Sequence, residues 1–311
     1  MCYNKIDMKI EEVNYVIVHG SCPDGWGSAY SAWSRIGMKN VEYFFAYHSN
    51  DSRPKIEPQV DGKNVVMIDF SYNLEYMNEL CKRANSMLVL DHHKSAKQNL
   101  EGKLKCEHVF DMDRSGARMA WDWFHPNEFV PELIHCIEDR DLHKWEFKNS
   151  KEYLMNFDVL DLDTKNLEKT FGLIHGLTLK LSSQSMRERG KNMLDYQTML
   201  VNNVVNGAKI MNFSYPNGDQ LETIKAWVVN CAAKEIISDA GSILANINPE
   251  VNVAVIWYGD LEKEKIVVSL RSNDKCDVAN IAIGFGGGGH AKASGFSIHK
   301  DSINKYISNI R

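Results

Sequence analysis

Residues 1–145 alternate between short, continuous apolar runs and longer stretches with the spacing of an amphipathic helix. The apolar runs are Val13–Val18, Val41–Tyr47, Val65–Ile68 and Met87–Leu90. The helical stretches are Trp26–Ile36, Leu74–Ala84 and Ala117–Phe124. Strands that are apolar throughout, with helices between them, are typical of a parallel sheet that is buried on both faces. The sequence therefore predicts a doubly wound, mostly parallel α/β domain at residues 1–145.

The rest of the chain changes character twice. Residues 146–219 are polar and mostly helical in pattern, for example over Met186–Val205, so we expect a helical connector. The stretch Asn212–Asp219 combines Pro, Asn and Gly and predicts a turn. Strand-like runs then return at Ala226–Val229, Val251–Trp257 and Ile266–Leu270, with a helical stretch at Ala233–Ala245. We therefore expect a second, smaller α/β domain at residues 220–311.

Composition excludes several classes of protein. With 44% apolar and 25% charged residues, the 311-residue chain has the balance of a soluble globular protein. It has no apolar run of the ~18 residues that a membrane span needs, and its start has no signal-peptide core. The net charge of −5 disfavours long duplex DNA as a partner. Seven scattered cysteines without a CxxC favour reduced thiols in a cytoplasmic protein.

Polar side chains stand where three of the predicted strands end. They are His19, Cys22 and Asp24 after the first run, Asp69 after the third, and the triplet Asp91-His92-His93 after the fourth. Ligands of a doubly wound sheet bind outside the carboxyl ends of the strands, so we expect these side chains to converge. Carboxylates with imidazoles suit Mn²⁺ or Mg²⁺, and also Fe²⁺ or Co²⁺. Each motif alone is more typical of a turn, a helix cap or polar surface, and it is their conjunction that indicates a metal site.

Two further motifs carry candidate functional residues. The predicted helix Ile134–Asp141 ends with Asp139 and Asp141, which point in different directions because they are two residues apart. We expect at most one of them to reach the metals. The other motif is the run Gly286–Gly289 followed by His290 and Lys292. Glycine backbones without a Cβ can cradle an anion, and these two side chains would add positive charge.

Taken together, these motifs resemble the DHH phosphoesterases that carry the DHH-associated C-terminal domain. The resemblance covers about residues 13–145 and 225–300. Members of this family include oligoribonucleases, single-strand-specific exonucleases and cyclic-dinucleotide phosphodiesterases. The resemblance implies two divalent cations. Mn²⁺ is the expected ion, with Mg²⁺ or Co²⁺ as alternatives.

The resemblance also implies a role for each motif residue. His19 would bind the first metal, Asp24 and His92 the second, and Asp69 both, with Asp139 or Asp141 completing the second site. Asp91 would orient the triplet, and His93 would face the substrate phosphate. The implied substrate-binding residues are Ser115, Arg271, Gly287, Gly288, Gly289 and His290. Cys22 stands close to where the family has a further Asp, and its thiolate would be a softer ligand for the first metal.

The expected function is metal-dependent hydrolysis of phosphodiesters in short single-stranded oligonucleotides or dinucleotides, releasing nucleoside 5′-monophosphates. A nucleotide-binding sensor without catalysis, which Cys22 favours, is one alternative. A phosphomonoesterase or pyrophosphatase is another. The expected partner is the short single-stranded nucleic acid or dinucleotide, with no membrane. The sequence indicates no stable protein partner and leaves a homodimer open.

Overall fold

The computed structural model of the chain describes residues 6–20, 22–47, 54–260 and 262–308. The chain consists of two compact units, residues 1–194 and residues 195–311. The first contains a parallel sheet with helices and the second a mixed sheet with helices, so the predicted fold class is confirmed. The finer division at residues 145 and 219 stays a prediction.

The first unit is built on five strands. They are β1 (Tyr15–His19), β2 (Glu42–Ala46), β3 (Asn64–Ile68), β4 (Ser86–Asp91) and β5 (Glu107–Phe110). All their pairings are parallel, in the order β2-β1-β3-β4-β5. The order reverses between β1 and β3, which creates a crevice at the carboxyl end of these two strands.

Helices cover both faces of this sheet. They are α1 (Pro23–Ile36), α2 (Leu74–Arg83), α3 (Lys94–Leu100), α4 (Gly116–Phe124), α5 (Glu132–Asp141), α6 (Ser150–Asp158) and α7 (Leu167–Thr178). Successive side chains of a strand point to opposite faces. Val16 and Val18 accordingly join one apolar core, while Tyr15 and Ile17 join the other. Burial on both faces explains why the strand sequences are apolar throughout.

The boundary between the two units falls within the next helix, α8 (Gln184–Gly207). The second unit continues with β6 (Lys209–Asn217), β7 (Gln220–Asn230), α9 (Lys234–Ile247), β8 (Val253–Asp260), β9 (Lys265–Ser272), α10 (Val278–Gly284), β10 (Gly288–His290), β11 (Ala293–His299), α11 (Ile303–Tyr306) and β12 (Ile307–Ser308). The sheet order is β10-β11-β9-β8-β7-β6-β12, in which β7 and β8 are parallel and the other pairs antiparallel. No helix in the described ranges is long and apolar enough to cross a membrane.

Two local features differ from the sequence prediction. Strand β5 was not predicted from its sequence EHVF, which is only partly apolar. The stretch Asn212–Asp219 is not a turn throughout, because β6 continues to Asn217 and only Gly218 and Asp219 form the turn. Pro216 lies beyond the residues of β6 that pair with β12, so its missing N–H leaves that pairing intact.

Candidate metal centre

The three strand-end motifs meet at the carboxyl edge of the parallel sheet. Strand β1 ends at His19, Asp69 follows β3 directly, and β4 ends at Asp91 with His92 next in the chain. These three strands are adjacent in the sheet and flank the point where the strand order reverses. The convergence therefore follows from the parallel topology and the lengths of the strands.

A nitrogen, a sulfur and an oxygen form the first ligand group. The Cys22 Sγ lies 3.1 Å from His19 Nδ1, and its thiol donates to Asp69 Oδ2 at 3.2 Å. His19 Nδ1 lies 3.7 Å from the same carboxylate oxygen. The spacing within this group allows all three residues to contact one ion. Cys22 is also the N-cap of α1, where its sulfur accepts the Gly25 N–H at 3.3 Å.

The second ligand group is centred on His92. Its Nε2 lies 3.1 Å from Asp69 Oδ1, 3.6 Å from Asp24 Oδ2 and 3.4 Å from Asp141 Oδ2. The two oxygens of Asp69 thus face different groups, Oδ2 towards His19 and Cys22, and Oδ1 towards His92. A carboxylate in this position can bridge two ions.

The N-terminus of α4 fixes Asp24, which is 1% exposed. The Gly116 N–H donates to Asp24 Oδ2 at 2.7 Å, and the Ala117 N–H donates to Asp24 Oδ1 at 3.0 Å. Such a helix terminus attracts negative charge. A side chain at Gly116 would collide with Asp69, so glycine lets α4 approach both carboxylates.

Asp69 has an uncommon backbone conformation. Its φ is 56°, in the left-handed region that non-glycine residues seldom occupy and that Asp tolerates better than most. Such conformations cost about 1–3 kcal/mol and are concentrated at functional sites. The turn directs the carboxylate into the cluster, where it is 1% exposed.

Crowding of buried carboxylates shifts the pKa of several groups. Burial raises the pKa of the Asp24 carboxyl, and the charges of Asp69 and Asp141 raise it further. Burial also raises the pKa of Asp141. Burial alone would raise that of Asp69, but hydrogen bonds with His19 and His92 outweigh it and hold the pKa below its usual range. Burial alone would lower the pKa of His92, but its carboxylate neighbours raise it to about 9. The raised pKa values of Asp24, Asp141 and His92 all mean that the cluster favours positive charge.

The remaining residues of the triplet form a hydrogen-bonded pair. His93 Nδ1 lies 2.7 Å from Asp91 Oδ1, which also accepts the His93 N–H at 3.1 Å. The Ser71 hydroxyl donates to Asp91 Oδ2 at 2.6 Å. Asp91 is fully buried, whereas the His93 side chain is 42% exposed. Ser71 was not singled out from the sequence, although it stands only two residues after Asp69.

Two candidate residues are not brought into the cluster as side chains. Asp139 accepts the Glu146 N–H at 2.7 Å and thereby holds the turn after α5, while Asp141 joins the His92 group. The Ser115 hydroxyl is fully buried as the N-cap of α4, where it accepts the Arg118 N–H at 3.3 Å. This burial keeps Ser115 from contact with a substrate.

The donor set fits divalent cations. Carboxylate oxygens and imidazole nitrogens suit Mn²⁺ and Mg²⁺ as well as Co²⁺, and the sulfur of Cys22 adds one softer donor to the first group. Buried carboxylates within a few ångströms of one another disfavour joint ionisation, and a cation between them would relieve that repulsion. The residues present therefore fit divalent cations, and Asp69 offers one oxygen to each ligand group.

In the second unit, the glycine-rich motif forms a hairpin. Strand β10 pairs with β11, with Gly288 opposite Gly295 and His290 opposite Ala293. Gly286 and Gly289 have φ values of 75° and 141°, which side chains other than glycine rarely adopt. The closely packed Gly287 has no room for a Cβ beside Phe296. The candidates Gly287, Gly288, Gly289 and His290 all belong to this hairpin or directly precede it.

Arg271 lies on β9, two strands from β10 in the sheet order. Its guanidinium donates from Nη2 to Ser238 Oγ and from Nη1 to Leu270 O, both at 2.9 Å. The adjacent Gly241 makes room for this side chain, because a Cβ there would lie 2.6 Å from Arg271 Cγ. Arg271 is thus held in place and is only partly buried.

Comparison with known proteins agrees with this reading of the motifs. Residues 225–311 match the family model of the DHHA1 domain. The chain is 30% identical over 298 residues to an uncharacterized protein of Acanthamoeba polyphaga mimivirus, covering 92% of this chain and 68% of that protein. It is 24% identical over 254 residues to the oligoribonuclease NrnB of Bacillus subtilis, covering 76% of this chain and 59% of that relative.

Two solved structures share the fold. The pGpG-specific phosphodiesterase PggH from Vibrio cholerae aligns with a TM-score of 0.55 at 16% identity, covering 94% of this chain and 95% of that chain. The exonuclease RecJ bound to manganese aligns with a TM-score of 0.50 at 13% identity, covering 94% of this chain and 89% of that chain.

Proposed function

This chain belongs to the DHH phosphoesterase family, and we propose that it hydrolyses phosphodiester bonds in short single-stranded oligonucleotides or dinucleotides and releases nucleoside 5′-monophosphates. The observation that carries the proposal is the position of Asp69, whose two oxygens face two separate ligand groups. The relative NrnB is named an oligoribonuclease, which supports a short nucleic-acid substrate.

The geometry of the cluster supports an assignment of the metal ligands. We assign His19 and Cys22 to the first ion, and Asp24, His92 and Asp141 to the second, with Asp69 shared. When bound, two such ions supply an activated water and neutralise the charge that develops on the phosphate. Mn²⁺ is the preferred ion in this proposal, with Mg²⁺ or Co²⁺ as alternatives.

Residues of the chain itself position the reacting groups. The α4 amides hold Asp24 in one orientation, and the left-handed turn at Asp69 aims its carboxylate into the cluster. The half-exposed His93, oriented by Asp91, is available to donate a hydrogen bond to a substrate phosphate oxygen. Preorganised donors of this kind need no rearrangement when charge develops.

The second unit would supply binding energy. We propose that Arg271 and His290 bind the nucleotide and that the glycine hairpin lets the backbone of Gly288 and Gly289 approach it closely. The Gly287 N–H donates to Ala282 O at 2.8 Å, so Gly287 supports the hairpin instead of donating to an anion. Few phosphates need neutralising on a substrate of two to several nucleotides, which is compatible with the net charge of −5.

A substrate panel tests the proposal. The purified chain is incubated with Mn²⁺ and, separately, pApA, RNA and DNA of two to ten nucleotides, a cyclic dinucleotide, adenosine 3′,5′-bisphosphate and pyrophosphate, and products are separated by chromatography. We expect 5′-monophosphates from the short single strands, no turnover with chelator, and none from Asp69→Asn. Faster hydrolysis of pyrophosphate than of every diester would contradict the proposal, as would nucleotide binding without turnover under any metal.

A further inference from the structure

An aromatic side chain that the metal centre does not use lies at the same edge of the sheet. Tyr47 directly follows β2, the strand next to β1. The Gly20 N–H donates to Ala46 O at 2.7 Å, so the pairing of β1 with β2 continues to the residue before Tyr47. Gly20 in turn directly follows His19, a residue of the first ligand group.

The ring of Tyr47 lies over Gly20. A Cβ on Gly20 would lie 2.5 Å from Tyr47 Cζ and 2.8 Å from Tyr47 Oη. The φ of Gly20 is outside the left-handed region, so glycine here leaves space for the ring and does not serve a special backbone conformation. Any larger residue at this position would displace the ring from the border of the metal centre.

Exposure distinguishes Tyr47 from Phe70 and Phe45, two aromatic residues near the same edge. Phe70, whose ring centroid is 5.7 Å from that of His19, is 1% exposed, and Phe45 at the end of β2 is 9% exposed. These two rings belong to the apolar cores. Tyr47 is 52% exposed, so about half of its surface is available to a ligand.

We propose that Tyr47 is a platform on which a nucleobase of the substrate stacks, beside the phosphate held at the metal centre. This inference rests on the proposed function and names the part of the substrate that it recognises. Single exposed apolar side chains are common on protein surfaces and need no explanation by themselves. Here the place is specific, because the ring lies against the residue next to a metal ligand and a glycine makes room for it.

The chemistry of stacking determines which substrates qualify. Every nucleobase has a π face, so an aromatic platform accepts all four bases with little sequence preference. A base inside a duplex is already stacked and paired and is not free to use it. Pyrophosphate and sugar phosphates have no base and gain nothing from the ring. Tyr47 therefore selects unpaired nucleotides over base-free phosphates.

Equilibrium binding separates the base from the phosphate. Calorimetry on the full chain with Mn²⁺ measures the affinity for AMP and for ribose 5-phosphate, which is AMP without its base. The variants are Tyr47→Ala, Tyr47→Phe and the control Phe129→Ala. Phe129 is a fully exposed aromatic residue near the N-terminal end of α5, whereas Asp141 of the metal centre ends that helix.

We expect Tyr47→Ala to weaken AMP binding by about 5- to 150-fold, the range of base–aromatic stacking, and to leave ribose 5-phosphate unchanged. Tyr47→Phe and Phe129→Ala should keep the wild-type preference for AMP. The inference is overturned if the wild-type protein does not bind AMP more tightly than ribose 5-phosphate. It is also overturned if Tyr47→Ala weakens both ligands equally or neither.

The outcome is separable from that of the proposed reaction. A wild-type chain that prefers AMP through Tyr47 but cleaves no diester would keep the stacking platform and remove the hydrolysis. A chain that cleaves pApA while Tyr47→Ala binds both ligands like the wild type would keep the hydrolysis and remove the platform.

Discussion

Replacing Cys22 by aspartate tests whether this residue faces the first metal. The Cys22 thiol lies 3.2 Å from Asp69 Oδ2 and 3.1 Å from His19 Nδ1. A carboxylate at the same position would be a hard oxygen ligand for Mn²⁺ in the presence of metal. In the absence of metal it would be a second negative charge beside Asp69. The substitution should therefore change stability in opposite directions in the two conditions.

The size of the effect without metal follows from two opposing contributions. Two unit charges about 4 Å apart repel by about 4 kcal/mol at the effective dielectric constant of ~20 that describes protein sites. Aspartate is a better helix N-cap than most residues, and this gain at the start of α1 is about 1 kcal/mol. The variant should thus be less stable than the wild type by about 3 kcal/mol. For a unit of this size that lowers the unfolding temperature by roughly 6–12 °C.

Thermal unfolding with chelator and with Mn²⁺ measures the change in stability without and with metal, and calorimetric titration measures the affinity for Mn²⁺. With Mn²⁺ we expect Cys22→Asp to be at least as stable as the wild type and to bind the ion about tenfold more tightly or better. This follows because even residues that only orient a metal ligand change affinity by about 10- to 100-fold. The control Cys22→Ser adds no charge and should unfold near the wild-type temperature with chelator.

Either of two results would contradict this position of Cys22. If Cys22→Asp with chelator is as stable as the wild type, the side chain does not face Asp69. If Mn²⁺ affinity is unchanged in both variants, Cys22 is not beside the first ion.

Substitutions at four further positions give distinct expectations. Asp69→Asn preserves a side chain that tolerates the left-handed backbone and removes the bridging charge, so turnover with Mn²⁺ should fall below a few per cent while the circular dichroism spectrum is retained; substantial residual activity would exclude the two-ion assignment. Arg271→Ala and His290→Ala should mainly raise KM and lower kcat somewhat in steady-state assays, because substrate-binding energy also serves alignment; wild-type kinetics on every nucleotide would remove both from the site. Asp139→Ala leaves the Glu146 amide without its acceptor and should cost about 1.5–3 kcal/mol in urea unfolding, with Asp139→Asn closer to the wild type; equal stability of the two variants would mean that the accepted hydrogen bond is not what holds this turn.

The fold could be predicted wherever burial dictates the residue type. Val65–Ile68 of β3 is fully buried on both faces, so its sequence is apolar throughout and marks a strand. Strand β5 lies at the edge of the sheet, and three of its four residues are only partly buried. Its sequence therefore includes polar residues and lacks the continuous apolar run that predicts a buried strand. Pro216 is typical of a turn, yet the hairpin of β6 and β7 includes it, because tertiary pairing outweighs local propensity.

The site could be predicted in its composition but not in its details. The convergence of Asp69 with His92 follows from a rule about parallel sheets, which needs only the strand ends. Asp139 and Asp141 both stand at the end of α5, and the structure brings Asp141 to His92 while Asp139 accepts the Glu146 N–H. Both are aspartates at the same helix end, so the sequence alone does not separate them. The contact of Tyr47 with Gly20 depends on the order of β1 and β2 in the sheet.

Buried charge and an uncommon backbone conformation both cost free energy at the carboxyl edge of the parallel sheet. Asp24 and Asp69 are buried beside each other, and the first of them has a raised pKa because of that burial and of neighbouring charge. Asp69 also has a left-handed backbone that costs about 1–3 kcal/mol. Replacing buried charged groups by well-packed apolar residues is often neutral or stabilising, so a fold needs none of these features for stability. Cations bound between the carboxylates would offset the cost, since metal binding to such a site adds directly to folding free energy. The strain and the buried charge therefore support the proposed metal centre, because the scaffold that carries it does not need them.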